Sequence, residues 1–255
     1  IGTFLGVRSS GTAYVLLHHY MGEIDGAMRA WGFAKGGTGG ISNAIARSAL
    51  SYGAEIVTEA NVGNVIIKGG KAVGVALDNG DEIHADTIIS GLDPHRTYLG
   101  LIGEENLESD LVTQLGHYKF RGSSGKVNLA VDRLPEFASR PGDGPHLYGD
   151  VAIAPSVQYL EKAHDQAKYG DFSERPYINM VIPTLVDPTM APPGKHVISC
   201  FVQYAPYDIK EGASYWPQRR EAFGDAVVDT LSEYIPNLKD TILHRQVLTP
   251  WDLEQ

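Results

Sequence analysis

Gly36-Gly37-Thr38-Gly39-Gly40 opens the run GGTGGISNAIARSALSYGAEIVTEANV, which ends at Val62. The five-residue glycine turn frees the backbone to pass close to another group. A helix is expected from Ile41, because Ile41, Ala44, Ile45, Ser48, Ala49 and Tyr52 recur at three-and-four spacing and give one narrow packing face. Gly53 stands where a left-handed C-terminal cap belongs, and Ala54–Thr58 reads as a short strand after a tight turn. Val62–Ile67 and Val73–Leu77 are β-branched runs joined by Lys68-Gly69-Gly70-Lys71, and Asp78-Asn79-Gly80-Asp81 makes a second turn. Ile83 to Ser90 reads as a return strand buried on both faces. Asp93-Pro94 then starts a helix, with Asp93 capping free N–H groups and Pro94 at the first helical position.

That succession (glycine turn, helix, strand, three-stranded meander, return strand, capped helix) resembles the middle of a dinucleotide-binding domain. A generic α/β layer fits the same pattern. The G-x-G-x-x-G fingerprint, whose glycines let a helix N-terminus meet pyrophosphate, is not in the stretch.

Outward from this stretch, residues 1–35 are mixed. Ala13–Met21 is apolar around the pair His18-His19, and Trp31 and Phe33 sit two apart, as on one face of a strand. After about residue 103, Leu107, Leu111 and Leu115 mark a helix that ends at Gly116. Strands are expected at Lys126–Asp132, Tyr148–Ala154, Tyr177–Pro183 and His196–Tyr204, with helices over Ser156–Lys168 and Pro217–Tyr234. The expected organisation is a cavity-lining or substrate-domain segment (1–35), a partial FAD-binding domain (36–103), a substrate domain (104–248) and a segment returning toward a C-terminal FAD element (249–255). The fold class is α/β plus α+β: a partial Rossmann-like domain with a β-meander, then a mixed-sheet domain.

Composition narrows the function classes. The 255 residues carry a net charge of −10, which disfavours a nucleic-acid surface needing a basic stripe. No run reaches the roughly 18 apolar residues of a membrane span, so the chain reads as soluble and cytoplasmic. Peripheral membrane contact and self-association stay open. The single cysteine, Cys200, excludes a dithiol redox pair within the chain. The first residue is Ile1 and the last, Gln255, follows Thr249-Pro250 closely; this reads as a segment of a longer protein.

Several long motifs carry a resemblance: AYVLLHHYMGEIDG from Ala13, AWGFAKGGTGGISNAIARSA from Ala30, GAEIVTEANVGNVIIKGGKAVGV from Gly53, ISGLDPHRTY from Ile89, IAPSVQYLEKAHDQAKYGDFSERPYINMVIPT from Ile153, DPTMAPPGKHVISCFVQYAPY from Asp187 and LTPWDLEQ from Leu248. On these the chain resembles the FAD-dependent phytoene desaturase-like oxidoreductases, in the branch of the pyridine nucleotide-disulfide oxidoreductase domain-containing proteins. The resemblance implies FAD as cofactor, and hydride transfer to flavin from an apolar small-molecule substrate. It implies that Val62 meets the adenine through its backbone, and that the Ser90-Gly91-Leu92-Asp93 turn contributes at the nucleotide site. It also implies that Gly37, Thr38 and Gly39 approach the flavin or the substrate entrance. Relatives usually carry Asn and Ala at Gly91 and Leu92, and often Met at Thr38. The glycine fingerprint and the C-terminal flavin segment of such proteins would lie outside residues 1–255, so the chain alone is expected to bind FAD weakly or not at all.

Other constellations have two readings. His18 and His19 are either a cavity wall beside the flavin, with one His available for proton transfer, or a core histidine with an exposed neighbour. Neither has a partner at metal-ligand spacing, so no metal is expected. Glu23 and Asp25 read as a solvated turn. Phe201–Tyr207 with Tyr177 and Met180 line an apolar pocket or form an ordinary sheet core. From another class stands a non-catalytic interaction module on a vestigial flavoprotein fold.

Overall fold

The computed structural model describes residues 2–28 and 32–255, leaving aside the side chain of His19. Trp31, paired above with Phe33, lies outside the described residues. In chain order the elements are α1 (Ala13–Tyr20), β1 (Glu23–Ile24), β2 (Ala27–Met28), α2 (Thr38–Ser51), β3 (Val62–Lys68), β4 (Lys71–Leu77), β5 (Glu82–His84), α3 (Ser109–His117), β6 (Ser124–Val131), β7 (Val151–Ile153), α4 (Val157–Lys168), β8 (Tyr177–Val181), β9 (His196–Gln203), α5 (Trp216–Ser232), α6 (Leu238–Thr241), β10 (Ile242–Leu248) and α7 (Pro250–Glu254). A wide helical turn covers His95–Ile102, where Gly103 N–H reaches back to Tyr98 C=O at 3.0 Å. The chain divides into two units, residues 1–43 with 121–255, and residues 44–120.

The larger unit is built on a five-stranded sheet of order β10-β6-β9-β8-β7, antiparallel at every pair. Strand β6 alternates half-buried and buried residues along its whole length, the period-two signature of a sheet with unlike faces. Val127, Leu129 and Val131 point to the core with Ile198, Cys200 and Val202 of β9, and α5 supplies Trp216, Phe223, Val227 and Leu231 to the same core. Glycines let this helix come close. A Cβ on Gly125 would stand 2.6 Å from the Phe223 ring, and one on Gly224 would stand 2.6 Å from Val247.

The N-terminal segment is tied to this unit by polar groups. Gln203 Oε1 accepts from Gly2 N–H at 2.8 Å and its Nε2 donates to Thr3 C=O at 3.0 Å. Tyr204 donates to Leu5 C=O at 2.9 Å, and His164 bonds Phe4 C=O at 2.9 Å. Of the candidates for an apolar pocket, Met180 is sheet core at 0% exposure, Tyr204 just after β9 is buried at 1% against Ala163 and Ala167 of α4, and Tyr177 is also buried.

The smaller unit carries the meander β3-β4-β5, antiparallel throughout, as the sequence predicts. Gly69 (φ +57°) and Gly70 (φ +77°) make its first turn. Gly74 admits β5, since a Cβ there would meet Ile83 C=O at 2.6 Å. Helix α2 ends as expected: Gly53 takes φ +86° and Ala54 N–H bonds Ala49 C=O at 3.1 Å.

Two expected strands do not form. Ala54–Thr58 pairs with no described strand, and of Ile83–Ser90 only the first two residues belong to a strand, β5. The double burial expected of Ile83–Ser90 is absent as well, with Ile89 90% exposed, and Val57 in the other segment is 60% exposed. A strand buried on both faces needs hydrogen-bonded neighbours and covering layers; the ladder to β4 stops at Ala85, whose N–H bonds Val73 C=O at 3.1 Å, and both segments are largely exposed. The apolar face of α2 is in the same condition, for no residue of the helix is buried.

Candidate functional site

In the smaller unit the predicted nucleotide residues lie on the meander and on the turn before the wide helix. Val62 opens β3, an edge strand, and is 37% exposed. Asp78 N–H bonds Asn61 C=O at 3.0 Å beside it, and the missing Cβ of Gly63 leaves room for the Asp78 carboxylate. The 90–93 turn is held by its own side chains. Ser90 Oγ accepts from Leu92 N–H at 3.2 Å and contacts Thr97 Oγ1 at 2.7 Å, while Asp93 Oδ1 accepts from Arg96 N–H at 3.0 Å. Gly91 is exposed, with open space where a Cβ would stand. Two exposed backbone stretches are therefore held in place, one by pairing with β4 and one by its own side chains. A separate cleft of about 440 Å³ lies between β3 and the end of the wide helix, lined by residues such as Asn64, Ile66, Leu101 and Glu105.

In the larger unit, Gly36 (φ +80°) and Gly37 (φ +74°) take left-handed conformations that most side chains resist, and deliver the chain into α2 at Thr38 and Gly39. Asp187, which the sequence reading passed over, holds this turn. Its Oδ2 accepts from Gly36 N–H at 2.6 Å, and its Oδ1 accepts from Thr189 N–H at 3.1 Å and Thr189 O–H at 2.6 Å. The Gly36 bond, then the Thr189 hydroxyl, hold the Asp187 carboxyl below its usual range. A cleft of about 310 Å³ adjoins it, lined by Phe33, Lys35, Val186, Asp187, Pro188 and Thr189. The Asp-Pro-Thr triplet was the available signal, because Asp before Pro and Thr favours such side-chain-bonded turns.

His18 lies on α1, where none of the described side chains is buried, and is exposed; the side chain of His19, the other member of the pair, lies outside the described residues. Glu23 opens β1 and Asp25 lies in the turn between β1 and β2, and both are exposed. Among the described residues no three His, Cys, Asp or Glu side chains are placed to hold a metal. No helix among them is long and apolar enough to cross a membrane.

The sequence profile of the flavin containing amine oxidoreductases matches residues 2–252. The chain belongs to that family. Among curated relatives of this family member, the pyridine nucleotide-disulfide oxidoreductase domain-containing protein 2 of Mus musculus is 38% identical over 262 residues, covering all of this chain and 45% of the relative. Prolycopene isomerase 2 of an Oncidium hybrid cultivar is 30% identical over 84% of the chain and 34% of its own length. The lycopene-forming phytoene desaturase of Pseudescherichia vulneris is 24% identical over 96% of the chain and 46% of its own length. The chain thus spans about half the length, or less, of these relatives. An oxidoreductase of Methanosarcina mazei shares the fold at a TM-score of 0.56 and 22% identity, over 85% of this chain and 43% of that one. This places the meander and the antiparallel sheet in an FAD-dependent oxidoreductase family, whose members imply a Rossmann-like FAD fold.

Proposed function

We infer that this chain works within a longer FAD-dependent oxidoreductase, supplying the adenosine side of the cofactor site and most of the substrate-binding unit. The family match across residues 2–252 carries the reading, and the exposed, pre-fixed backbone at Val62 and at Ser90–Asp93 supports it. In this reading Val62 holds the adenine by its backbone, while Ser90, Gly91 and Asp93 hold the turn beside the nucleotide. Gly37, Thr38 and Gly39 form a side-chain-poor approach to the flavin or the substrate entrance, kept in place by Asp187. FAD, when bound, supplies a hydride acceptor. The protein's share is to bind and orient the substrate and to exclude water.

The names of the relatives, prolycopene isomerase and phytoene desaturase, point to largely apolar substrates. Exposed apolar groups such as Ile45, Tyr52 and Ile89 are the surfaces on which the rest of the flavin domain would pack. The test is the absorbance of the purified full-length protein, followed by anaerobic incubation with phytoene. A yellow protein whose flavin band bleaches supports the oxidoreductase. A yellow protein that isomerises the polyene without bleaching keeps the cofactor and changes the reaction. A colourless protein overturns the reading in favour of a non-catalytic module.

A further inference from the structure

The two faces of the five-stranded sheet are chemically unlike, and the face turned away from α5 is organised. On it Lys126 stands between Leu248 of β10 and Phe201 of β9, its register partners on either side. Two residues along β6 on the same face, Asn128 stands between Gln246 and Ser199. Five of these six residues are half-buried, Gln246 being exposed. The polar row is bonded in one direction: Ser199 O–H donates to Asn128 Oδ1 at 2.9 Å, and Asn128 Nδ2 donates to Gln246 Oε1 at 3.0 Å. Each of the two amide oxygens thereby accepts one bond, and none of the side-chain hydrogen bonds among the described residues uses the Gln246 amide N–H groups. The ammonium next to the row adds more donors. None of the ion pairs among the described residues engages Lys126.

We propose that this face binds an apolar molecule that ends in a carboxylate, with Lys126 and the Gln246 amide on the carboxylate and Phe201 and Leu248 along the hydrocarbon. The statement rests on the reading of this unit as the substrate-binding part, and narrows its substrate class. Charge chooses the occupant. A half-buried cation with no ion partner among the described residues matches an anionic acceptor, and a plain hydrocarbon would leave the ammonium desolvated and unpaired. The flanking Phe201 and Leu248 match a chain or ring rather than a small, fully hydrated anion. The sequence carries the trace in KVNLAVD, where the polar residues Lys126 and Asn128 alternate with core positions.

The test uses full-length protein titrated with dodecanoate, dodecanol and dodecylammonium. Wild type is expected to bind dodecanoate about tenfold or more tighter than dodecanol, the scale of a charge-assisted bond. Lys126→Met, or Lys126→Gln should the first fold poorly, abolishes that preference with little change for the alcohol. Lys126→Arg retains it, and Lys126→Glu turns it toward dodecylammonium. Equal affinity for acid and alcohol in wild type, no binding of either, or an acid preference untouched by Lys126→Met overturns the proposal. Flavin absorbance of the same samples separates the two readings. Yellow protein without the Lys126-dependent preference removes only this inference, and colourless protein that keeps the preference removes only the oxidoreductase.

Discussion

Asp187 Oδ2 accepts the backbone N–H of Gly36 at 2.6 Å, joining the short turn after β8 to the glycine pair that leads into α2. The two residues are 151 positions apart in sequence, so the bond fixes a long-range relationship that neither segment encodes locally. Asp187→Ala strands the Gly36 N–H and both Thr189 donors, whereas Asp187→Asn keeps a neutral acceptor. The expected order of thermal stability near neutral pH is wild type, then Asn, then Ala.

The pH dependence follows from the same contacts. The Asp187 carboxyl is held below its ordinary value of 3.8 by the Gly36 N–H, then the Thr189 hydroxyl. A depressed folded-state pKa means the ionised group favours the folded chain. Its contribution is full above the unfolded value and fades as pH falls through the lower folded one. The stability gap between wild type and Asp187→Asn is therefore expected to be constant from neutral pH to about pH 5 and to close in stronger acid. A gap that stays open in stronger acid would show that the charge plays no part.

Gly125 and Phe223 set how closely α5 approaches the sheet. A Cβ on Gly125 would stand 2.6 Å from one ring carbon and 3.1 Å from Leu248 C=O, against a ring with no exposed surface. Gly125→Ala is expected to cost about 1–3 kcal/mol by overpacking, read from chemical denaturation. Phe223→Leu vacates part of that space, so the double variant is expected to be more stable than the sum of the two losses implies. Strict additivity would place the strain on the backbone contact with Leu248.

These two cases show what the sequence could disclose. Period-two alternation in Ser124–Val131, three-and-four spacing in α5 and the Gly69-Gly70 turn are local, and each is formed where the pattern places it. Ala54–Thr58 and Ile83–Ser90 have the composition of strands, but a strand is completed by its neighbours, and none of the described strands pairs with Ala54–Thr58 or with the chain from Asp86 to Ser90. The Asp187 latch and the Lys126 patch were not legible for the same reason. Each depends on residues brought together by register or by a distant turn, with only a faint local trace in Asp187-Pro188-Thr189 and in the polar alternation of β6.

Cys200 is a core residue of β9 with no exposed surface, and burial pushes its thiol up to about 12. The thiolate that reacts with disulfide reagents is scarce at pH 8, and the reagent has no access to it. Native protein is expected to leave Cys200 unmodified by a colorimetric disulfide reagent at that pH, with prompt labelling of this residue once guanidinium unfolds the chain. Mass spectrometry assigns the site where the longer protein contains other cysteines. Rapid labelling of Cys200 in the native state would mean that β9 opens locally.

Val62 tests whether the nucleotide is read through the backbone. The residue is exposed at the first position of edge strand β3, so its side chain has little packing to lose, and a proline there is tolerated better than in a central strand. Val62→Ile keeps the N–H and C=O and is expected to leave the flavin content of the full-length protein unchanged. Val62→Pro removes the N–H while keeping a small apolar side chain, and is expected to lower flavin content well below wild type with little loss of secondary structure by circular dichroism. Substitution by Ala separates the remaining possibility: if Val62→Ala loses flavin as Val62→Pro does, the side chain and not the backbone makes the contact. If all three variants retain the cofactor fully, Val62 is not at the adenine, and the weight of the cofactor reading moves to the Ser90–Asp93 turn.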